Sequence, residues 1–112
     1  MKPDLLRSMQ KLHDARRCLM LPHPDGEAAS IAEAFAECRA GLDVLPTHLD
    51  EDAHPYVDTI NEAMDTSGIE NPYDRGADTV KAEKLTPEQK YEFSRAVDEL
   101  ASYLNRRFYE ID

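Results

Sequence analysis

The chain has 112 residues and a mass of 12.7 kDa, enough for one hydrophobic core and too little for two. Its residues are 41% hydrophobic and 32% charged, a balance that excludes a disordered tail and leaves no uninterrupted apolar stretch for a membrane span. The formal net charge of −10 argues against a nucleic-acid partner, because the phosphate backbone would be repelled. We therefore expect neither direct nucleic-acid binding nor membrane contact.

The first half of the chain has two segments with apolar residues at helical spacing. They predict helices over about 3–20 and about 25–40. Pro3 suits the first turn of the first helix, and Gly41 is predicted to end the second, because glycine readily takes the left-handed conformation found after helix C-termini. The apolar residues of each segment recur three or four positions apart and should face one core. They are Leu5, Met9, Leu12 and Leu19, and then Ala28, Ile31, Phe35 and Cys38.

Two further helices are predicted in the second half, over about 50–67 and about 86–109. Gly68 is expected to end the third helix. The fourth has the clearest start in the sequence, since Thr86 followed three residues later by Gln89 is the pattern of a capping box. The apolar stripes of these two helices are Ala53, Val57, Ile60 and Met64, and then Phe93, Val97, Leu100, Leu104 and Phe108.

The connection over 68–85 is predicted to be one long loop, because it contains a run of turn-forming residues. No alternation of apolar and polar residues long enough for a β-strand occurs in the sequence. The prediction is therefore an all-α chain that forms a single domain over 1–112. Its expected architecture is a small antiparallel up-down four-helix bundle with the long loop between the third and fourth helices.

The two cysteines are expected to be free thiols. Two cysteines are too few for a disulfide scaffold, and the predicted helices place Cys18 and Cys38 roughly 18 Å apart. Arg16 and Arg17 flank Cys18 and are the kind of neighbours that lower the pKa of a thiol. With basic residues scattered through the first twenty positions and no apolar signal segment, a cytoplasmic location is expected.

The charge is distributed unevenly along the chain. Residues 21–70 contain twelve acidic side chains and a single basic one, Arg39. On the predicted third helix, four acids fall within one narrow sector opposite the apolar stripe. They are Glu51, Asp58, Glu62 and Asp65. This acidic face is either an ordinary solvated surface or a docking surface for a basic partner protein, and composition alone does not decide between the two.

A second set of candidate contact residues lies in the predicted long loop. Tyr73, Asp74 and Arg75 are adjacent there. Tyrosine and arginine are enriched in protein interfaces, so this tripeptide is a candidate partner-binding segment.

Histidine and acidic residues crowd one short stretch and are candidate metal ligands. They are His48, Asp50, His54 and Asp58. Imidazole and carboxylate groups can bind Zn²⁺ or Mn²⁺, but the spacing matches no established metal motif and Pro55 disturbs the backbone there. No metal, cofactor or catalytic residue is therefore assigned from the sequence.

The functional prediction that follows is a non-enzymatic interaction protein. We expect a small acidic helical module that binds, inhibits or chaperones a basic partner protein. One alternative is an enzyme, or a protein that binds a metal or small ligand, using the cluster between His48 and Asp58. Another is self-association of the bundle as a homodimer.

Overall fold

The computed structural model describes residues 2–20, 24, 26–45, 53–69 and 76–110. Within these ranges it contains five α-helices and no β-strand, so the predicted all-α class is confirmed and the predicted number of four helices is wrong. No helix in the described ranges is long and apolar enough to cross a membrane. The helices are α1 (Lys2–Met20), α2 (Glu27–Asp43), α3 (His54–Met64), α4 (Ala77–Lys84) and α5 (Pro87–Glu110).

The helices pack in a bundle-like arrangement around one hydrophobic core. α1 and α2 form an antiparallel pair, α5 packs against α1 and α3, and α4 packs against α2. At the centre, the rings of Phe35 and Phe93 meet edge to face with their centroids 5.1 Å apart, a favourable geometry for two aromatic rings. The largest fully buried side chains all come from the predicted apolar stripes, apart from Ser8. They are Phe35, Phe93, Leu12, Ile60, Leu100, Leu104, Val97, Cys38 and Ser8.

Two serine hydroxyls join α1 to α2 near the two ends of the pair. The buried Ser8 Oγ donates a hydrogen bond of 2.6 Å to the carbonyl oxygen of Gly41, and Ser30 Oγ donates to the carbonyl oxygen of Cys18. Both carbonyls belong to the last four residues of their helices, where no intrahelical N–H remains to satisfy them. Each helix therefore caps the C-terminal end of the other.

Gly41 lies inside α2, so the predicted end of the second helix at this residue is wrong. A Cβ atom at Gly41 would lie 2.6 Å from Leu12 Cδ2 and 3.1 Å from Lys11 Cβ. The glycine thus allows α1 to approach the backbone of α2 closely, and the helix continues to Asp43. Glycine is needed at position 41 because there is no room for a side chain. It is not needed there for the left-handed backbone that ends many helices.

The predicted start of the last helix is confirmed by its capping box. Thr86 Oγ1 accepts a hydrogen bond of 3.1 Å from the Gln89 backbone N–H, and Gln89 Oε1 accepts one of 2.8 Å from the Thr86 N–H. A cap of this kind stabilises a helix by about 1 kcal/mol. It fixes the first turn of the 24-residue α5, the longest of the described helices.

α3 is shorter than the predicted helix over about 50–67. It begins at His54, and it ends at Met64 because Asp65 has an extended backbone. The Asp65 carboxylate then accepts a hydrogen bond of 2.9 Å from the Ser67 N–H. Gly68 has the expected left-handed backbone, with φ of 74°, but it lies in the turn that follows and not directly at the end of the helix. The predicted residues 50–52 lie outside the described ranges.

The helix that the sequence did not predict is α4, which lies in the second half of the predicted loop over 68–85. It buries only Val80 and Ala82, which are two residues apart and therefore produce no apolar stripe at helical spacing. Its charges do fit a helix, with Asp78 in the first turn and Lys81 and Lys84 in the last. This order of charges was the sequence signal for a helix. It was overlooked because the apolar residues of the segment do not recur at helical spacing.

We expect the substitution Gly41→Ala to destabilise the protein, although alanine is the better helix former. The added methyl group would overlap Leu12 and crowd Lys11, and such overpacking costs about 1–3 kcal/mol. Alanine recovers roughly 1 kcal/mol of helix propensity, so the net loss should be about 1 kcal/mol in the free energy of unfolding, measured by urea denaturation.

The control is the reverse substitution at an exposed position of the same helix, Ala36→Gly. It measures the propensity difference without a packing change. If Gly41→Ala stabilises the protein by as much as Ala36→Gly destabilises it, then the close approach of α1 to Gly41 is unimportant for stability.

Candidate functional site

A groove with a volume of about 330 Å³ lies where α3, α4 and α5 meet. Its apolar side chains are Ala63 and Leu85, both largely buried, while its polar side chains reach the surface. Acids supply three of these and lysine supplies one. The complete lining consists of Thr59, Glu62, Ala63, Lys81, Leu85, Glu88, Gln89 and Glu92.

The groove brings together carboxylates from two helices. Glu62 belongs to α3, whereas Glu88 and Glu92 lie four residues apart on α5, and thus on one side of that helix. All three are exposed. Lys81 is the single basic residue of the lining. The groove therefore has an acidic rim over an apolar floor, a combination suited to the aliphatic stem and charged end of a lysine or arginine side chain.

The ion pairs between helices use other acids. Lys11 pairs with Glu37 at 3.4 Å, Arg16 with Asp98 at 2.9 Å, Lys90 with Glu27 at 2.5 Å, and Arg39 with Asp78. Lys11 thus links α1 to an acid of the neighbouring α2. Among the described residues, none of the three groove glutamates takes part in such a pair, so their carboxylates remain available to a ligand.

Arg39, the solitary basic residue of the acidic half, connects three helices. Its guanidinium forms a two-pronged ion pair with Asp78, including an Nη2–Oδ1 contact of 2.6 Å, and its Nη2 lies 3.5 Å from the carbonyl oxygen of Met64. The hydrogen bond to Asp78 raises the pKa of Arg39 above its ordinary value. This arginine therefore links α2 to the end of α3 and to the start of α4.

The predicted acidic face of the third helix is divided by the structure. Asp58 and Glu62 lie on α3 and are exposed, as predicted, and Glu62 lines the groove. Asp65 lies beyond the end of the helix, where its hydrogen bonds from Ser67 lower the pKa of the carboxyl group. It thus has a local role in the turn. The fourth acid, Glu51, lies outside the described residues.

Sequence reasoning missed the α5 side of the groove. Glu88 and Glu92 were not among the predicted site residues, because nothing in the sequence shows which surface of α5 faces α3. Their spacing of four residues was the available signal. Tyr91, 64% exposed and one helical turn after Glu88, is a further candidate contact on this helix. The other predicted contact segment, Tyr73, Asp74 and Arg75, lies outside the described residues.

The candidate metal ligands are only partly described. His54 and Asp58 are exposed on α3, whereas His48 and Asp50 lie outside the described ranges. Among the described residues, no three side chains of His, Cys, Asp or Glu lie close enough together to hold a metal ion. No metal site was assigned from the sequence, and the alternative of a site that includes His48 and Asp50 stays a hypothesis.

Both cysteines are free thiols, and both have a raised pKa. Burial raises the pKa of Cys38 to about 12. Burial also raises the pKa of Cys18, with contributions from Glu33, Glu37 and Asp14. Of the two neighbouring arginines, only Arg17 lowers the pKa of Cys18, and burial together with the acids outweighs its effect.

Comparison with known proteins gives no relative for this chain. No protein family model, no curated protein and no solved structure matches it. A functional assignment for this protein rests on its own residues.

We expect Cys38 to resist thiol reagents in the folded protein. The thiolate is the reactive form, and burial keeps Cys38 protonated and out of contact with solvent. In the variant Cys18→Ser, Cys38 should react with a disulfide reagent at about pH 8 at least about a hundredfold more slowly in buffer than in denaturant. The reason is that a buried thiol reacts only when the structure around it opens locally.

The matched variant is Cys38→Ala, in which only the partly exposed Cys18 reacts. In the folded protein, Cys18 should react faster than Cys38 does. In denaturant, Cys18 should react at the rate of an exposed thiol. Equal labelling rates of the two thiols in the folded state would contradict the burial of Cys38.

Proposed function

We propose that this chain is a non-enzymatic interaction module that binds a basic segment of a partner protein. The binding site is the groove lined by Glu62, Glu88 and Glu92. The observation that carries the proposal is the convergence of these three carboxylates from α3 and α5 on one concave surface. Within the part of the chain that the structure describes, none of them forms an ion pair between helices.

The electrostatics of the groove favour a cationic ligand. The net charge of −10 attracts a basic partner protein from a distance. The three groove carboxylates then add negative charge at the binding site itself. Lys81 offsets only part of this local charge. A lysine or arginine side chain can lay its methylene groups against Ala63 and Leu85 while its charged end meets the glutamates.

The concave shape separates this site from an ordinary solvated acidic surface. A flat row of acids on one helix attracts cations of any shape, but it does not position them. Two helices that face each other across a groove hold a bound side chain from both sides. We therefore expect binding to depend on where the carboxylates lie and not only on how many the protein has.

The test is binding of a fluorescent oligo-arginine peptide to the full chain, followed by fluorescence anisotropy. We expect the triple variant Glu62→Gln, Glu88→Gln and Glu92→Gln to weaken binding at least about tenfold at low salt, since three close charge contacts are lost. Binding by the unaltered protein should weaken as salt rises from about 20 mM to about 300 mM, because salt screens exposed charges.

The control is a second triple variant with the same change in net charge outside the groove. Asp4→Asn, Asp43→Asn and Glu99→Gln neutralise three acids that do not line it. This variant should keep most of the affinity. If the two triple variants weaken binding equally, net charge explains the interaction and the groove is not a binding site.

A further inference from the structure

α4 is held in place by very little apolar contact. Its eight residues bury only Val80 and Ala82, and an alanine contributes a single methyl group. By contrast, α5 buries a continuous series of large side chains, including Phe93, Leu100 and Leu104. Elements with few buried apolar groups open at a lower free energy than the rest of a fold.

A two-pronged ion pair links α4 to α2. Both Nη atoms of Arg39 contact the two carboxylate oxygens of Asp78, in the first turn of α4. The geometry is the two-pronged one that gives the strongest arginine–carboxylate pairs. The side chains remain 43% and 28% exposed, so dissolved salt reaches and screens this pair.

We propose that α4 is a hinged strap, which the Arg39–Asp78 ion pair holds closed against α2 and which opens as a unit when that pair is broken or screened. The bulk of the bundle does not depend on α4, since the α1–α2, α1–α5 and α3–α5 contacts do not involve it. The strap can therefore open while the rest of the molecule stays folded.

Opening of the strap would dismantle the groove, and this consequence rests on the proposed function. Lys81 lies on α4 and Leu85 follows it directly, and both line the groove. Displacement of α4 removes one wall and part of the apolar floor. The closed strap is then the state that binds a basic segment, and the ion pair sets how much of the protein is in that state.

The experiment is hydrogen–deuterium exchange of the full chain, analysed by mass spectrometry without any ligand. The informative amides are those of 80–85, which are hydrogen-bonded in α4 and at its end. In Arg39→Gln, and separately in Asp78→Asn, we expect exchange over these amides to rise about five- to tenfold, the size expected for a two-pronged, partly exposed pair. Exchange in α1 and α5 should not change.

Asp98→Asn is the matched control. It breaks the similarly exposed ion pair of Arg16 with Asp98, which joins α1 to α5, two helices with extensive apolar contact. This variant should leave exchange in α4 unchanged. High salt should speed α4 exchange in the unaltered protein and have little effect in Arg39→Gln, where the pair is already lost.

Two results would overturn the proposal. One is unchanged α4 exchange in both Arg39→Gln and Asp78→Asn, which would show that the ion pair does not hold the helix. The other is a parallel rise in all helices, which would show that the pair supports the whole fold. Because no ligand is present, either result is distinct from a failure of the groove to bind a basic peptide.

Discussion

The antiparallel pair of α1 and α2 depends on two serine hydroxyls, each of which bonds a carbonyl oxygen near the C-terminal end of the opposite helix. These bonds satisfy two of the carbonyls that helix ends leave without an intrahelical partner, and the bond from Ser8 to Gly41 is buried. α5 packs against α1 and α4 against α2, while α3 packs chiefly against α5. The α1–α2 pair therefore supports two of the three helices that line the groove, α4 and α5.

The acids of the described structure fall into two groups. Acids that pair with lysine or arginine, such as Glu37 with Lys11 and Asp98 with Arg16, connect neighbouring helices. The carboxylates around the groove connect nothing within the described structure, and their mutual repulsion is a cost to the isolated protein. A cationic ligand would relieve that repulsion. This division is the physical basis for the binding function that we propose.

The local features that sequence patterns encode were predictable. The capping box at Thr86 and the apolar stripes gave the start of α5 and most of the core, because caps and periodicity are local properties. Gly41 and α4 were not predictable, since the first depends on which helix approaches the glycine and the second has only Val80 and Ala82 to bury. The groove was predicted only in part. The acidic pattern of α3 identified Glu62, but Glu88 and Glu92 of α5 can be assigned to the same groove only once the packing of α3 against α5 is known.

The tight contact at Gly41 also ties together positions that are far apart in the chain. A methyl group added there would meet the end of the Leu12 side chain, which is itself fully buried. The energetic effect of a change at one of these positions therefore depends on the residue present at the other, and the two effects do not add. Sequences that adopt this fold are constrained in pairs at such a crossing: a larger residue in α2 requires a smaller one in α1.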